Sequence, residues 1–157
     1  MKTLTLTTTI TEATYDELDP TDRRLVDLAR EATYRSYAPY SHFCVGAAIL
    51  LDNGEIIEGS NQENVAYPSG TCAERSACYY AGARYPEARF RTIAIAARGT
   101  DGKFTTDATA PCGACRQALL EYETLAGAPV RVLLAAADKV LILPSVTSLL
   151  PLAFSEF

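Results

Sequence analysis

Apolar side chains recur along this chain with two different periods, which predict helices in some segments and strands in others. The first helical segment starts after Asp19, a suitable N-cap, and has Pro20 at its first position, where no amide hydrogen is left unpaired. Its apolar residues recur every three or four positions, as in a helix with one buried face: Leu25, Leu28, Ala29 and Ala32. The helix is predicted to end within residues 37–41, because the residue before Pro39 resists helical geometry.

Short apolar runs bounded by turn residues predict strands in the rest of the chain. The predicted strands cover residues 43–51, 55–59, 91–97, 130–137 and 140–143, and the later predicted helices cover residues 72–84 and 112–124. Asn53-Gly54 is a tight-turn pair, so the first two strands are expected to form a hairpin. Because helices then alternate with strands, the pattern predicts an α/β fold, a three-layer α/β/α sandwich around a mixed five-stranded sheet. Residues 1–18 are interpreted as an N-terminal arm and residues 19–157 as one domain.

The charge balance narrows the classes of ligand. The chain has 157 residues and a formal net charge of −5, without a run of Lys or Arg. Nucleic-acid binding depends on clustered basic side chains, so the composition disfavours a nucleic-acid partner and fits a small neutral ligand. No apolar run approaches the ~20 residues of a membrane-spanning helix, and the N-terminus lacks the apolar core of a secretory signal. A cytoplasmic location without a membrane partner is therefore expected.

The cysteines carry the strongest chemical signal. Their number, 5, is odd, and in a chain without an export signal cysteines more often bind metal or take part in catalysis than form disulfides. Cys112 and Cys115 form a C-x-x-C pair at the start of a predicted helix, which by itself fits either a redox dithiol or half of a zinc site. Cys72 opens another predicted helix, and two helix N-termini can bring three thiolates to one ion and stabilise them with their amide groups. The remaining two, Cys44 and Cys78, are predicted to be buried thiols without a metal role.

Three protein ligands predict a catalytic zinc and not a structural one. They leave the fourth tetrahedral position open, whereas structural zinc sites are closed by four ligands. At an open position zinc lowers the pKa of water and makes hydroxide available near neutral pH.

Glu74 and Arg75 follow the first of these cysteines. Two positions after Cys72, in the first turn of a helix, a carboxylate can point toward the open side of the metal without ligating it, and can there move protons between water and substrate. A first-turn glutamate also stabilises the helix dipole, so Glu74 indicates catalysis only in combination with the cysteine motifs. Arg75 is predicted to donate hydrogen bonds to the thiolates and to offset their charge.

Five short motifs extend this pattern over most of the chain. Two hold the metal and proton-transfer residues: T-C-A-E-R at 71–75 and P-C-G-A-C-R-Q at 111–117. The others are Y-S-H-F-C-V-G-A-A at 40–48, N-Q-E-N at 61–64 and L-P-L-A-F at 150–154. In composition and order the set resembles the small, homotetrameric, three-cysteine cytidine deaminases, from about Asp22 to the end of the chain.

The resemblance implies a function and a role for each motif. It implies zinc-dependent hydrolysis of cytidine and deoxycytidine to uridine and deoxyuridine with release of ammonia, as in pyrimidine salvage. Phe43 would then pack against the pyrimidine ring, Asn61 and Glu63 would bind the ribose 3′-hydroxyl, and the backbone N–H of Ala73 would meet the base. Phe154 would stack in a neighbouring subunit's site, so the resemblance also implies a homotetramer with shared active sites.

Three departures from the family pattern and two alternative functions remain open at this point. Cys44 stands where the family usually has proline, the N-terminal arm has no counterpart in the family, and the polar loop at 99–110 is longer than expected. One alternative is another deaminase on the same scaffold, such as a blasticidin-type enzyme, which shares the three cysteines. The other is a non-catalytic protein with a structural zinc, although no fourth Cys or His occurs at a suitable spacing.

Overall fold

The computed structural model describes residues 1–155, so residues 156–157 of the predicted domain lie outside the described part of the chain. Within it the helices and strands follow in this order: β1 (Thr11–Ala13), α1 (Pro20–Ala32), β2 (Phe43–Leu51), β3 (Ile56–Ser60), α2 (Ala73–Arg84), β4 (Phe90–Gly99), α3 (Gly113–Ala126), β5 (Arg131–Ala135) and β6 (Val140–Leu143). A 3-10 turn at Val146–Leu149, called here the 146–149 turn, precedes the C-terminal segment. No helix among the described residues is long and apolar enough to span a membrane.

The strands form one mixed sheet in the order β1-β6-β5-β4-β2-β3. β4 and β5 are parallel, and every other neighbouring pair is antiparallel. Successive side chains of a strand point to opposite faces, so Ile93 of β4 packs with α2 and α3 while Ala94 packs with α1. This arrangement confirms the predicted three-layer α/β/α sandwich.

The predicted number of strands was wrong, because the sheet has six strands and not five. The additional strand is β1, which pairs antiparallel with β6 at the edge of the sheet, with Ala13 opposite Val140. The Thr8 hydroxyl also donates a hydrogen bond to the carbonyl of Ser148, 3.1 Å away. The three residues of β1 lack a strand-length apolar pattern, and their strand conformation depends on the backbone of β6. Hydrophobic periodicity therefore could not identify them.

Two glycines determine how closely the helices lie on the sheet. A Cβ atom on Gly46 of β2 would lie 2.1 Å from the carbonyl oxygen of Ala29, so α1 contacts the strand backbone directly. A Cβ atom on Gly59 of β3 would lie 2.5 Å from the carbonyl oxygen of Ala73 and equally close to the amide of Ala77. Only glycine permits such an approach. Gly59 thereby fixes the first turn of α2, which follows Cys72, against the sheet.

Candidate active site

The N-termini of α2 and α3 bring the three predicted metal ligands together. Cys72 is the N-cap of α2 and Cys112 the N-cap of α3, while Cys115 lies in the first turn of α3. The Sγ atoms of Cys72 and Cys112 are 3.9 Å apart. Those of Cys112 and Cys115 are 3.4 Å apart, and all three sulfurs lie within 4.8 Å of one another. The spacing in the sequence thus becomes one compact group of thiols.

The geometry of this group fits a tetrahedral zinc ion. With Zn–S bonds of ~2.3 Å, the sulfurs of a tetrahedral site are about 3.8 Å apart, close to the two distances above. Within the described residues, Cys72, Cys112 and Cys115 are the one group of three or more Cys, His, Asp or Glu side chains able to surround an ion. Cys44 and Cys78 are buried elsewhere in the core, as predicted. The donor set is therefore three thiols with one tetrahedral position left over.

The charge state of Cys72 depends on its neighbours. The hydrogen bond from the Cys115 thiol is the main cause that lowers the pKa of Cys72 to about 5, and hydrogen bonds from Arg75 and Cys112 add to it. The same contact with Cys72 is the main cause that raises the pKa of Cys115. Arg75 reaches Cys72 with its guanidinium, at 3.8 Å between nitrogen and sulfur. These contacts favour the thiolate form of Cys72, with a cation beside it.

Glu74 is the buried acid of the site. It is 4% exposed, lies in the first turn of α2 two positions after Cys72, and lines the cavity described below. Burial is the main cause that raises its pKa, and the negative charge of Cys72 raises the pKa further. A carboxyl group in such surroundings holds a proton more readily than an exposed one, which suits a group that accepts and returns protons.

One cavity of about 590 Å³ opens above the cluster, and most of the predicted site residues line it. The predicted residues in its wall are Phe43, Asn61, Glu63, Cys72, Glu74, Arg75 and Cys112. Small-molecule sites are typically concave, apolar and of this size, with a few polar groups that fix orientation. One cavity is therefore lined by the groups expected for a nucleoside site, namely an aromatic ring, polar side chains and thiols.

Asn61 and Glu63 also hold the wall of the cavity in place. The Asn61 amide accepts a hydrogen bond from the Val45 amide at 2.8 Å and donates one to the Phe43 carbonyl at 2.9 Å. Glu63 accepts hydrogen bonds from the backbone amides of Tyr40 and Ser41, at 2.9 and 3.2 Å. Hydrogen bonding by the Ser41 side chain is the main cause that lowers the pKa of Glu63. Each polar side chain keeps further hydrogen-bonding capacity for a ligand.

The two other predicted substrate contacts have different locations. Ala73 is fully buried as the first residue of α2, directly between Cys72 and Glu74. Phe154 is 68% exposed and is not among the described residues that line the cavity of its own chain. Its carbonyl oxygen accepts a hydrogen bond of 2.8 Å from the side chain of Gln117 on α3. The substrate-binding roles of both residues stay predictions.

The structure adds cavity residues that the sequence analysis did not identify. The rings of Tyr40 and Tyr67 both line the cavity and meet edge to face, with centroids 6.2 Å apart. Thr109 and Ala110, from the long polar loop before α3, also line the cavity. Tyr40 is the first residue of the motif at 40–48, so the sequence analysis could have identified it. Tyr67 has no such signal, because its contact with Tyr40 arises only when two distant loops meet.

Comparison with protein families gives one match that covers most of the chain. A family model described as the cytidine and deoxycytidylate deaminase zinc-binding region matches residues 19–126. A cytidine deaminase of Halalkalibacterium halodurans is 42% identical over 97 residues, which are 62% of this chain and 68% of that protein. A cytidine deaminase of Mycobacterium tuberculosis is 41% identical over 106 residues, 66% of this chain and 74% of that protein.

Solved structures resemble the fold over a larger part of the chain. The crystal structure of a cytidine deaminase from Burkholderia pseudomallei has a TM-score of 0.68 at 36% identity and covers 83% of this chain and 97% of that one. The cytidine deaminase structure from Mycobacterium tuberculosis has a TM-score of 0.67 at 32% identity, with 88% and 100% covered. Sequence and fold therefore agree on one family.

Proposed function

We propose a specific reaction for this chain, which belongs to the cytidine and deoxycytidylate deaminase family. Its similarity to cytidine deaminases supports deamination of cytidine. The protein is a zinc-dependent hydrolase that converts cytidine and deoxycytidine to uridine and deoxyuridine with release of ammonia, a reaction of pyrimidine salvage. The observation that carries the proposal is the thiol cluster of Cys72, Cys112 and Cys115 beside the buried carboxyl of Glu74 in the wall of one cavity.

The three thiols would hold the metal. When bound there, zinc supplies a Lewis acid that lowers the pKa of water at the open coordination position. Arg75 offsets part of the negative charge of the sulfurs through its hydrogen bond to Cys72. Three thiolates on one ion would otherwise weaken its effect on water, so this guanidinium keeps the site suited to hydrolysis.

Glu74 moves the protons. The oxygen of the attacking water forms a bond to C4 of the pyrimidine, and both of its protons must leave that oxygen. The Glu74 carboxylate takes one proton and passes it to N3, then takes the second and passes it to the departing amino group, which leaves as ammonia. Glu74 starts and ends the reaction in the same protonation state. Its burial keeps bulk water away from these transfers.

The cavity orients the nucleoside. The ring of Phe43 offers an apolar face to the pyrimidine, and the backbone N–H of Ala73 meets the polar edge of the base. Glu63 accepts a hydrogen bond from the ribose 3′-hydroxyl and the Asn61 amide donates one to the oxygen of that hydroxyl, each with the capacity that remains beside its backbone contacts. Because both are held by the backbone of residues 40–45, the sugar end of the cavity is already in place before substrate binds.

A substrate panel with a metal analysis tests this proposal. Purified protein should contain about one zinc per chain and should turn over both cytidine and deoxycytidine. The 5′-monophosphates should have kcat/KM values lower by at least roughly 100-fold, because the ionised Glu63 faces the sugar. Arg75, the one arginine among the described residues that line the cavity, already contacts Cys72. Blasticidin S completes the panel. A preference for that compound would identify a different deaminase, and zinc without any turnover would identify a structural metal site.

We further propose a homotetramer in which Phe154 completes the site of a neighbouring chain. The hydrogen bond from Gln117 fixes the backbone of this exposed residue outside its own cavity. Phe154→Ala should therefore raise the KM for cytidine, by about 10-fold for a lost stacking contact, while the zinc content stays normal. Leu152→Ala is the matched control, since Leu152 is 89% exposed in the same segment.

Mixed assemblies separate a shared site from a local effect. Phe154→Ala chains and Glu74→Gln chains, unfolded together and reassembled, should regain part of the activity, because an intact Glu74 and an intact Phe154 from different chains would meet in some sites. Light scattering measures the oligomeric state of the same samples. A fully active monomer contradicts the shared site, and verified mixed tetramers without regained activity count against it.

A further inference from the structure

Helix α3 holds the 146–149 turn at both of its ends. At the start of the turn the buried carboxylate of Glu123 accepts hydrogen bonds from the amides of Val146 and Thr147, at 2.7 and 3.0 Å, and from the Thr147 hydroxyl. At its end the guanidinium of Arg116 donates a hydrogen bond of 2.9 Å to the carbonyl of Leu149. Arg116 and Glu123 are seven positions, about two helical turns, apart and so share one face of the helix.

Arg116 has a second contact, with the loop that enters the metal site. Its Nε donates a hydrogen bond of 2.8 Å to the carbonyl of Pro111, the buried residue before Cys112. The planar guanidinium therefore joins two carbonyls, one next to a thiol ligand and one next to the C-terminal segment. A planar fork of donors suits such a bridge, whereas a lysine ammonium presents its donors from a single point.

From these contacts we propose that Arg116 is a positioning residue that couples the metal loop at Pro111–Cys112 to the 146–149 turn. The inference rests on the proposed zinc site and goes beyond it, because it assigns a mechanical link between that site and the C-terminal segment. Metal bound by Cys112 and Cys115 holds the Pro111 carbonyl at the distance that Arg116 needs. Arg116 in turn holds the end of the turn from which the segment with Phe154 continues.

A coupling of this kind acts in both directions. If metal binding steadies the turn through Arg116, then the same contact must also strengthen metal binding by the same factor. Partners that orient the surroundings of a metal ligand typically change metal affinity 10- to 100-fold. The effect of zinc on the 146–149 turn and the effect of Arg116 on zinc binding can both be measured without the enzymatic reaction.

The first measurement is the rate at which zinc passes from the full-length protein to a chromophoric chelator. Arg116→Ala should release zinc up to about 100-fold faster and Arg116→Lys, which keeps the charge but not the fork, about 10-fold faster. Gln117→Ala is the neighbouring control, because the Gln117 side chain bonds the carbonyl of Phe154, beyond the 146–149 turn, and it should release zinc at the unsubstituted rate. Asp22→Asn weakens the ion pair with Arg131, at 2.6 Å and away from the cluster, and controls for a general loss of stability.

The second measurement is amide hydrogen exchange of the 146–149 turn and Leu150, with and without zinc. In the unsubstituted protein, removing zinc should speed exchange at Ser148 and Leu150, whose amides bond within this turn. In both Arg116 variants exchange should be fast already and insensitive to zinc.

The outcomes separate the inference from the function on which it rests. A folded Arg116→Lys or Arg116→Ala variant that releases zinc at the unsubstituted rate overturns the coupling, as does a turn whose exchange ignores zinc in the unsubstituted protein. If Arg116→Ala does not fold, the zinc-release rate and amide exchange of Arg116→Lys decide whether the coupling exists. An unsubstituted protein that binds no zinc at all defeats the proposed function, and the coupling with it.

Discussion

Replacing Glu74 by glutamine is expected to lower the turnover of cytidine at least about 100-fold while about one zinc per chain stays bound. The amide has nearly the shape of the carboxyl group, so the packing around this 4%-exposed side chain should persist. It cannot, however, accept a proton from water. The metal should stay because the proposed ligands are the three thiols, and Glu74 is not part of that group. Steady-state kinetics and elemental analysis on the same sample check both halves.

The control for Glu74→Gln is the same substitution at a glutamate outside the candidate site. Glu121→Gln removes the same carboxylate from the exposed side of α3 and should leave both zinc content and turnover unchanged. A folded Glu74→Gln protein with near-normal turnover would remove Glu74 from the mechanism. Zinc lost together with activity would instead make the residue a ligand or a structural support of the cluster.

The sequence predicted the fold well where local chemistry determines it. Asp19 caps α1 by accepting hydrogen bonds from the amides of Thr21 and Asp22, as the pattern indicated. The Asn53-Gly54 pair forms the turn of the first hairpin, with Gly54 at a φ of +86°. These features depend on a few adjacent residues. β1 depends instead on hydrogen bonds to β6 at the other end of the chain, so its three residues gave no local signal.

The same distinction applies to the candidate site. The three cysteines and Glu74 were identifiable because helix N-termini give their spacing a chemical meaning, and the structure places the thiols together. The edge-to-face contact of Tyr40 and Tyr67 was not identifiable, since it needs two loops that only the sheet brings together.

Asn61 shows how one side chain can have two functions that the sequence cannot separate. The prediction assigned it to the sugar, and the structure shows it bonded to the backbone of Phe43 and Val45. An amide has two donors and two acceptor positions, so the backbone contacts leave room for a hydroxyl. Its support of Phe43 and its proposed contact with ribose would both be lost in Asn61→Ala. A reduced affinity in that variant could not be assigned to either.

Removing any one of the three thiols is expected to have the largest effect on activity. Cys72→Ala, Cys112→Ala and Cys115→Ala should each lower zinc affinity by more than about 100-fold, since loss of a ligand exceeds the 10- to 100-fold cost of losing a partner of a ligand. Turnover of cytidine should fall below detection, because two remaining thiols cannot fix the ion beside Glu74. Elemental analysis after dialysis, with kinetics on the same sample, measures both quantities.

The other two cysteines supply controls of the same chemistry. Cys44→Ala and Cys78→Ala remove a buried thiol from β2 and α2, and should cost about 1 kcal/mol of unfolding free energy with zinc and turnover retained. Burial raises the pKa of Cys78 to about 12, which favours the protonated thiol, and Cys78 lies outside the group of Cys72, Cys112 and Cys115. Full zinc occupancy in any of the three ligand variants would break the assignment of three ligands. Loss of zinc from a folded Cys78→Ala protein would show that the metal site includes more of α2 than its first turn.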